Sequence, residues 1–218
     1  MNLVRSQTPA VDFPSLLKAM VDDPQRELEW LDLLSQLEFV GCRKIVKAVA
    51  FDGVNFEVLQ HISEEASHAF LLKSLVEKGG LKRRSWTDAP LGAMGWRYFR
   101  ELDEKVSRLQ EDAHAHYPAV SWAVEKRVLE LYPLYLKLTK NPGVKRVLTR
   151  ILAQELRHGT QFGEHPFPEW FREKAMALEA ELWQRFCHEL RGWLDQSLEF
   201  QMPQVIPSKH GAGSNLVH

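Results

Sequence analysis

The sequence predicts an all-α fold: a four-helix bundle with a long helical crossover between its halves and an additional C-terminal helix. Three observations lead there. Apolar residues recur at steps of three, four and seven along most of the chain, the period of an amphipathic helix. No segment carries the alternation of a strand. Two helical hairpins, 25–78 and 118–162, flank a connection of roughly forty residues, the plan of a bundle with one crossover.

Pro24 opens the first helix, in which Leu34, Gly41, Ile45 and Ala48 share a stripe. Asp52-Gly53 breaks it. The period resumes over 55–78 through Ile62, Ala69, Leu72 and Val76, and Gly79-Gly80 stops it. The crossover reads as a loop followed by a helix at 96–112. Pro118 is expected to start the third bundle helix, and Pro133 to kink or break it. After the turn "KNPG", the fourth carries Val144, Leu148, Ile151 and Phe162 on one stripe. A long helix follows from Glu169 to about Phe200, with Trp170, Leu178, Leu182, Phe186 and Trp193 as its apolar side. One domain is expected over 1–202, with its bundle core at 25–162 and an extended or disordered tail at 203–218.

Composition narrows the functional classes. Of the 218 residues, 44% are hydrophobic, enough for a full core. The formal charge of −1 gives no general attraction to nucleic acid or an acidic membrane. Cys42 and Cys187 lie far apart and form no zinc or CxxC pattern. The N-terminal stretch lacks the apolar run of a signal peptide, and no segment is apolar enough to span a bilayer. A cytoplasmic protein is expected.

The chemistry-bearing signal is a repeated motif. "EEASH" holds Glu65-x-x-His68, and "QELRH" holds Glu155-x-x-His158. Residues three apart on a helix are neighbours, so each carboxylate and imidazole can reach one metal ion. Both pairs fall on apolar stripes, where a carboxylate is costly unless paired or metal-bound. Antiparallel helices joined by a short turn bring residues equidistant from that turn to one height. Reflecting Glu65 through Asp52-Gly53 lands beside Glu38, with Gly41 leaving room next to it. Reflecting Glu155 through "KNPG" offers Glu125 or Glu130. Glu125 shares a stripe with Ser121, Val128 and Tyr132 and is the chosen partner; Glu130, beside Lys126 and Arg127, reads as solvated.

The order Glu, Glu-x-x-His, Glu, Glu-x-x-His resembles the ferritin-like di-iron carboxylate superfamily over residues 25–162. The resemblance implies two iron ions, or manganese, bridged by Glu65 and Glu155. Glu38 and His68 would complete one site, Glu125 and His158 the other. His61, one turn before Glu65, is either a neighbour or an extra nitrogen ligand. An H-x-x-x-E-x-x-H helix is similar to the arylamine N-oxygenase branch, where the additional histidine sits on the last bundle helix rather than the second.

The resemblance also implies an oxidoreductase: a dinuclear iron oxygenase or oxidase that uses O2 and an electron donor on a small organic substrate. A ferroxidase and a non-redox helical binding protein are the alternatives. A transfer-RNA substrate fits the superfamily, although the chain's charge argues against it. Assembly as a homodimer is compatible with such a bundle. Glu64 reads as solvated, beside Gln60 and Ser67. Tyr132 is a candidate for proton or electron transfer, and the aromatic residues of 86–99 for a pocket wall. His114 and His116, and the basic run Lys82, Arg83 and Arg84, read as surface groups.

Overall fold

The computed structural model describes residues 10–52, 54–82, 85–109, 113–163 and 167–199. Among these are seven α-helices, one 3-10 turn at Trp86–Asp88 and no strand. The helices are α1 (Phe13–Val21), α2 (Pro24–Asp52), α3 (Phe56–Lys78), α4 (Gly92–Ser107), α5 (Ala113–Leu138), α6 (Pro142–Gly163) and α7 (Glu169–Glu199). No described helix is long and apolar enough to cross a membrane.

Local chemistry sets the boundaries. Asp23 Oδ1 accepts from the N–H groups of Gln25 and Arg26 (2.9 and 3.0 Å), just before α2 begins at Pro24. Asn55 caps α3 by accepting from Val58 N–H at 2.9 Å. α3 ends at Gly79-Gly80, where Gly80 takes φ +89°, a conformation a Cβ disfavours. Asn141 Oδ1 accepts from Gly143 N–H at 2.9 Å and opens α6.

Three expectations need correction. α1, whose Leu16, Leu17, Met20 and Val21 are buried, is not among the expected helices. Its Phe13 ring lies 4.8 Å from Trp183 and 6.1 Å from Trp30, so tertiary contact holds this short helix. α4 starts at Gly92, four residues early. α5 starts at Ala113 rather than Pro118 and runs unbroken through both Pro118 and Pro133. An interior proline costs about 3 kcal/mol. Here burial of Ala119, Val120, Ala123, Leu131, Tyr132 and Tyr135 on either side offsets that cost. The tail expected at 203–218 lies outside the described residues, as do Arg83 and Arg84 and the side chains of His114, His116 and Phe162.

Contacts fix the direction of each bundle helix. Along α2 and α3 they run in opposite senses: Leu28 packs over Gly79, Ser35 Oγ donates to Ala69 O (2.7 Å), and Gly41 faces Glu65. α3 and α6 are likewise antiparallel, with Leu75 near Gly143, His68 at Gln154 and Glu64 at Arg157. Glu27 meets Thr139 and Tyr135, while Glu38 meets Tyr132, so α2 and α5 are antiparallel too. It follows that α3 and α5 run parallel. The chain between them must travel the length of the bundle, and α4 makes that journey.

α7 closes the outside of α4 and α5. Lys105–Glu181 (2.8 Å), Arg97–Glu189 and Arg185–Glu101 link it to α4. Beneath them Glu179 is wholly buried, accepting from Tyr98 Oη (2.7 Å) and from Arg127 Nε and Nη2 (2.9 and 2.7 Å). One apolar cluster runs from Leu16 to Leu194 through every helix. Each fully buried leucine in it, such as Leu17, Leu31 or Leu72, contributes about 1.5–3 kcal/mol. Of the apolar side expected for α7, Leu182 and Phe186 are buried, whereas Trp170 is exposed.

Candidate metal centre

Midway along the bundle, α2, α3, α5 and α6 turn carboxylates and imidazoles toward one another. Glu38, Glu65, His68, Glu125, Glu155 and His158 are all buried, and so is His61. They form two overlapping groups whose ligand-type atoms lie within 4.8 Å of one another: Glu38, Glu65, His68 and Glu155, and His61, Glu65, Glu125 and His158. Glu65 belongs to both. Glu155 also faces both sides, with Oε1 2.8 Å from His68 Nδ1 and Oε2 3.1 Å from His158 Nδ1. The structure thus brings together every residue of the sequence-derived set. Glu130, the discarded alternative, is exposed and pairs with Arg127.

His61 sits inside this arrangement. Its Nε2 is 3.2 Å from Glu65 Oε1, and its ring centroid is 4.0 Å from that of His158. Burial and the neighbouring His158 lower its pKa to about 4, so at neutral pH it offers a neutral nitrogen.

A further pair of residues completes the geometry, and one of them overturns an expectation. Glu64 does not stand in solvent: its side chain is only 12% exposed, and Oε2 accepts from His158 Nε2 at 2.7 Å. Gln154 Oε1 accepts from His68 Nε2 at 2.8 Å, and Gln154 Nε2 donates to Glu64 Oε1 at 3.2 Å. Each of these polar residues immediately precedes the glutamate of one Glu-x-x-His motif and bonds the histidine of the other. Their effect is to hold both imidazoles with Nδ1 toward the cluster, as a metal ligand requires. The signal was present in the sequence, in the polar residue before each motif glutamate. Its partner is on another helix, which helical periodicity does not reveal.

The electrostatics are those of too many carboxylates in too little space. Burial, together with Glu38 and Glu155, pushes the Glu65 carboxyl well above its ordinary range; burial and Glu155 do the same to Glu125. Burial opposes the charge of Glu155 as well. There the hydrogen bonds from His158 and His68 prevail and keep its pKa low. Burial also opposes charge on His68, but Glu155 and Glu38 outweigh it and raise its pKa to about 11. Protons are thus standing in for positive charge at this centre.

The donor set fits a metal. Glu125 Oε2 is a buried oxygen without a hydrogen-bond partner, and His68 Nδ1 and Glu155 Oε1, 2.8 Å apart, face only the groups of the cluster. Gly41 has a cradle role: a Cβ there would lie 2.8 Å from Glu65 Oε2. Carboxylates with imidazoles in two groups sharing a glutamate can bind a metal and suit a di-iron site.

Beside the cluster is an apolar cavity of about 90 Å³. Leu34, Leu37 and Ile45 of α2 and Val124, Val128 and Leu131 of α5 form its sides. Tyr98 and Phe99 of the crossover helix and Trp183 of α7 also line it, so part of the aromatic run at 86–99 is a pocket wall. Tyr132 lines it as well, and its hydroxyl donates to Glu38.

No protein-family model, no curated protein and no solved structure matches the chain.

Proposed function

We propose that this chain is a ferritin-like di-iron oxidoreductase that couples dioxygen to the oxidation of a small organic substrate. The observation that carries the reading is the pair of buried ligand groups sharing Glu65 and opening onto an apolar cavity. Glu65, shared by both groups, and Glu155, which faces both histidines, would help to hold two iron ions. Glu38 and His68 would hold one, and Glu125 and His158 the other, with His61 as an added nitrogen donor on that side. Two ferrous ions so held would supply two electrons to dioxygen.

The protein's own groups set the conditions. The apolar walls keep bulk water from the cluster. Glu64 and Gln154 fix the imidazole orientation. Tyr132, its pKa pushed up by burial and by Glu38, stays protonated and orients the Glu38 carboxylate by donating a hydrogen bond to it. The cavity is smaller than the ~150 Å³ that accommodates a benzene ring. A ring-sized substrate would therefore displace some of the lining side chains. Outside the ligand set, the charged residues lining the cavity are Lys44 and Arg127, both cations. Both are paired, Lys44 with Asp103 at 2.8 Å and Arg127 with Glu179, and the rest of the wall is mostly apolar, which favours an organic substrate over a ferroxidase role.

The test is reconstitution with ferrous iron without oxygen, elemental analysis, then exposure to dioxygen. About two irons per chain and consumption of dioxygen are expected; manganese at the same stoichiometry would change the metal but keep the site. Zinc alone, or no metal after reconstitution, refutes the reading.

A further inference from the structure

A second cavity, of about 390 Å³, lies between α5 and the two helices outside the bundle, α1 and α7. Phe13 bounds it on α1, Leu134 on α5 and Ala180 on α7. Arg127, Leu131 and Trp183 line both this chamber and the cavity of about 90 Å³ beside the cluster. These three side chains therefore form the partition between the two spaces. Two of them are held from several sides. Trp183 stacks on Phe186 at 5.2 Å, meets Phe13 edge-on at 4.8 Å and carries the Arg127 guanidinium 4.8 Å from its ring. Arg127 is fixed in turn by Glu179, at 2.9 and 2.7 Å. Leu131, one turn beyond Arg127 on α5, is buried but has no polar anchor, and an aliphatic side chain can clear a passage by changing rotamer.

Size and charge say what the outer chamber can take. Its volume falls within the ~300–1,000 Å³ of ligand pockets, whereas the inner cavity is below the ~150 Å³ that holds a benzene ring. Arg127 is already engaged by Glu179 and Glu130, and the other described charged residues lining the chamber are Asp12 and Glu130. A carboxylic acid would meet like charge there. An uncharged molecule would meet chiefly Phe13, Leu134 and Trp183. Resting on the reading above, in which the chain oxidises a small organic substrate, we propose that the chamber beneath α1 is where that substrate binds. It takes an uncharged, ring-sized hydrophobe, and Leu131 is the gate through which the reacting end of the molecule passes to the cluster. The body stays in the outer chamber, and only a slender end enters the inner cavity. Neither α1 nor α7 carries a residue of the cluster, so this binding needs no metal.

The experiment uses toluene as probe, benzoate as its charged counterpart and the metal-free protein as sample. Titration calorimetry should give one toluene per chain, with benzoate at least about tenfold weaker. Ala180 is exposed, so Ala180→Trp should leave the melting temperature unchanged while it fills the chamber and weakens toluene binding at least about tenfold. Crystals of the metal-free protein soaked in iodobenzene should show iodine between α1 and α7. In Leu131→Ala the iodine should advance into the cavity beside Tyr132, and Leu131→Val, one methylene smaller, reads the same advance if the alanine variant does not fold. The proposal is overturned if toluene does not bind, if benzoate binds equally well, if Ala180→Trp binds toluene like wild type, or if the iodine keeps its wild-type position in the Leu131 variants. A chain that binds toluene as described and takes up no iron would refute the di-iron reading alone.

Discussion

Replacing Gly41 by alanine sets two effects of opposite sign against each other. In the interior of α2 the exchange favours the helix by about 0.8–1 kcal/mol. For a chain of this size that is about 2–4 °C in melting temperature. The added methyl, however, would sit 2.8 Å from Glu65 Oε2 and 3.6 Å from its Cδ. To restore ordinary contact near 3.4 Å the carboxylate oxygen must retreat by about 0.6 Å. In the metal-free protein this is inexpensive, because a glutamate tip can rotate and Glu65 is crowded by other carboxylates anyway. With metal bound it is not. Glu65 belongs to both ligand groups, and ligand sets tolerate displacements of about 0.5 Å. A loss of at least about tenfold in affinity, or ~1.4 kcal/mol, is expected. Scanning calorimetry of the metal-free variant should therefore show equal or higher stability, while a ferrous iron titration shows weaker binding. Wild-type affinity in Gly41→Ala, or a clearly destabilised metal-free form, would refute the reasoning.

Other expectations follow from the same geometry. Glu64→Gln should cost about 10–100-fold in metal affinity, read by competition with a chelator, because it weakens the hold on His158; unchanged affinity would remove Glu64 from the site. Glu65→Ala and Glu155→Ala should each lose most of the metal by elemental analysis, whereas Glu130→Ala, whose carboxylate is exposed, should retain it. Arg127→Met strands the wholly buried Glu179 and should cost about 3–5 kcal/mol in urea unfolding. In the metal-free protein Glu65, Glu125, His68 and His158 all have pKa values raised above their unfolded ones. The folded state then holds more protons, so stability should fall as pH rises from about 6.5 to about 8.5. His61, with its pKa lowered to about 4, is neutral in the folded state but still loses its proton around its ordinary value of about 6.5 in the unfolded chain, so it opposes the trend at the acid end of the window, where the four raised groups outweigh it. A metal-free stability that rises over this range would contradict the burial of the cluster, and the iron-loaded protein should give a flatter profile.

The buried carboxylate–histidine cluster was legible because each Glu-x-x-His is local, and because a short turn mirrors Glu38 onto Glu65 and Glu125 onto Glu155. Burial on an apolar stripe then made the carboxylates conspicuous. What stayed hidden depends on contacts between distant stretches. α1 is too short to declare itself by period and forms against Trp30 and Trp183. Glu64 looks like any solvated glutamate until α6 brings His158 to it. Arg127 and Glu179 are 52 positions apart, and nothing local marks either as half of a buried pair. Pro118 and Pro133 misled because intrinsic preference yields when flanking residues are packed on both sides.

The parallel course of α3 and α5 has a consequence for how such a protein can change. A connection that must run the length of the bundle cannot be trimmed to a tight loop, so the architecture carries a spare helix by necessity. That helix bears none of the cluster's residues, yet contributes Tyr98 and Phe99 to the wall of the neighbouring cavity. Trp183, on the other added helix, is in the same position. Substitutions at these three sites can reshape what the cavity admits while the stretches that assemble the centre remain untouched. Part of the cavity wall is thereby written into passages of the chain that carry none of the buried cluster.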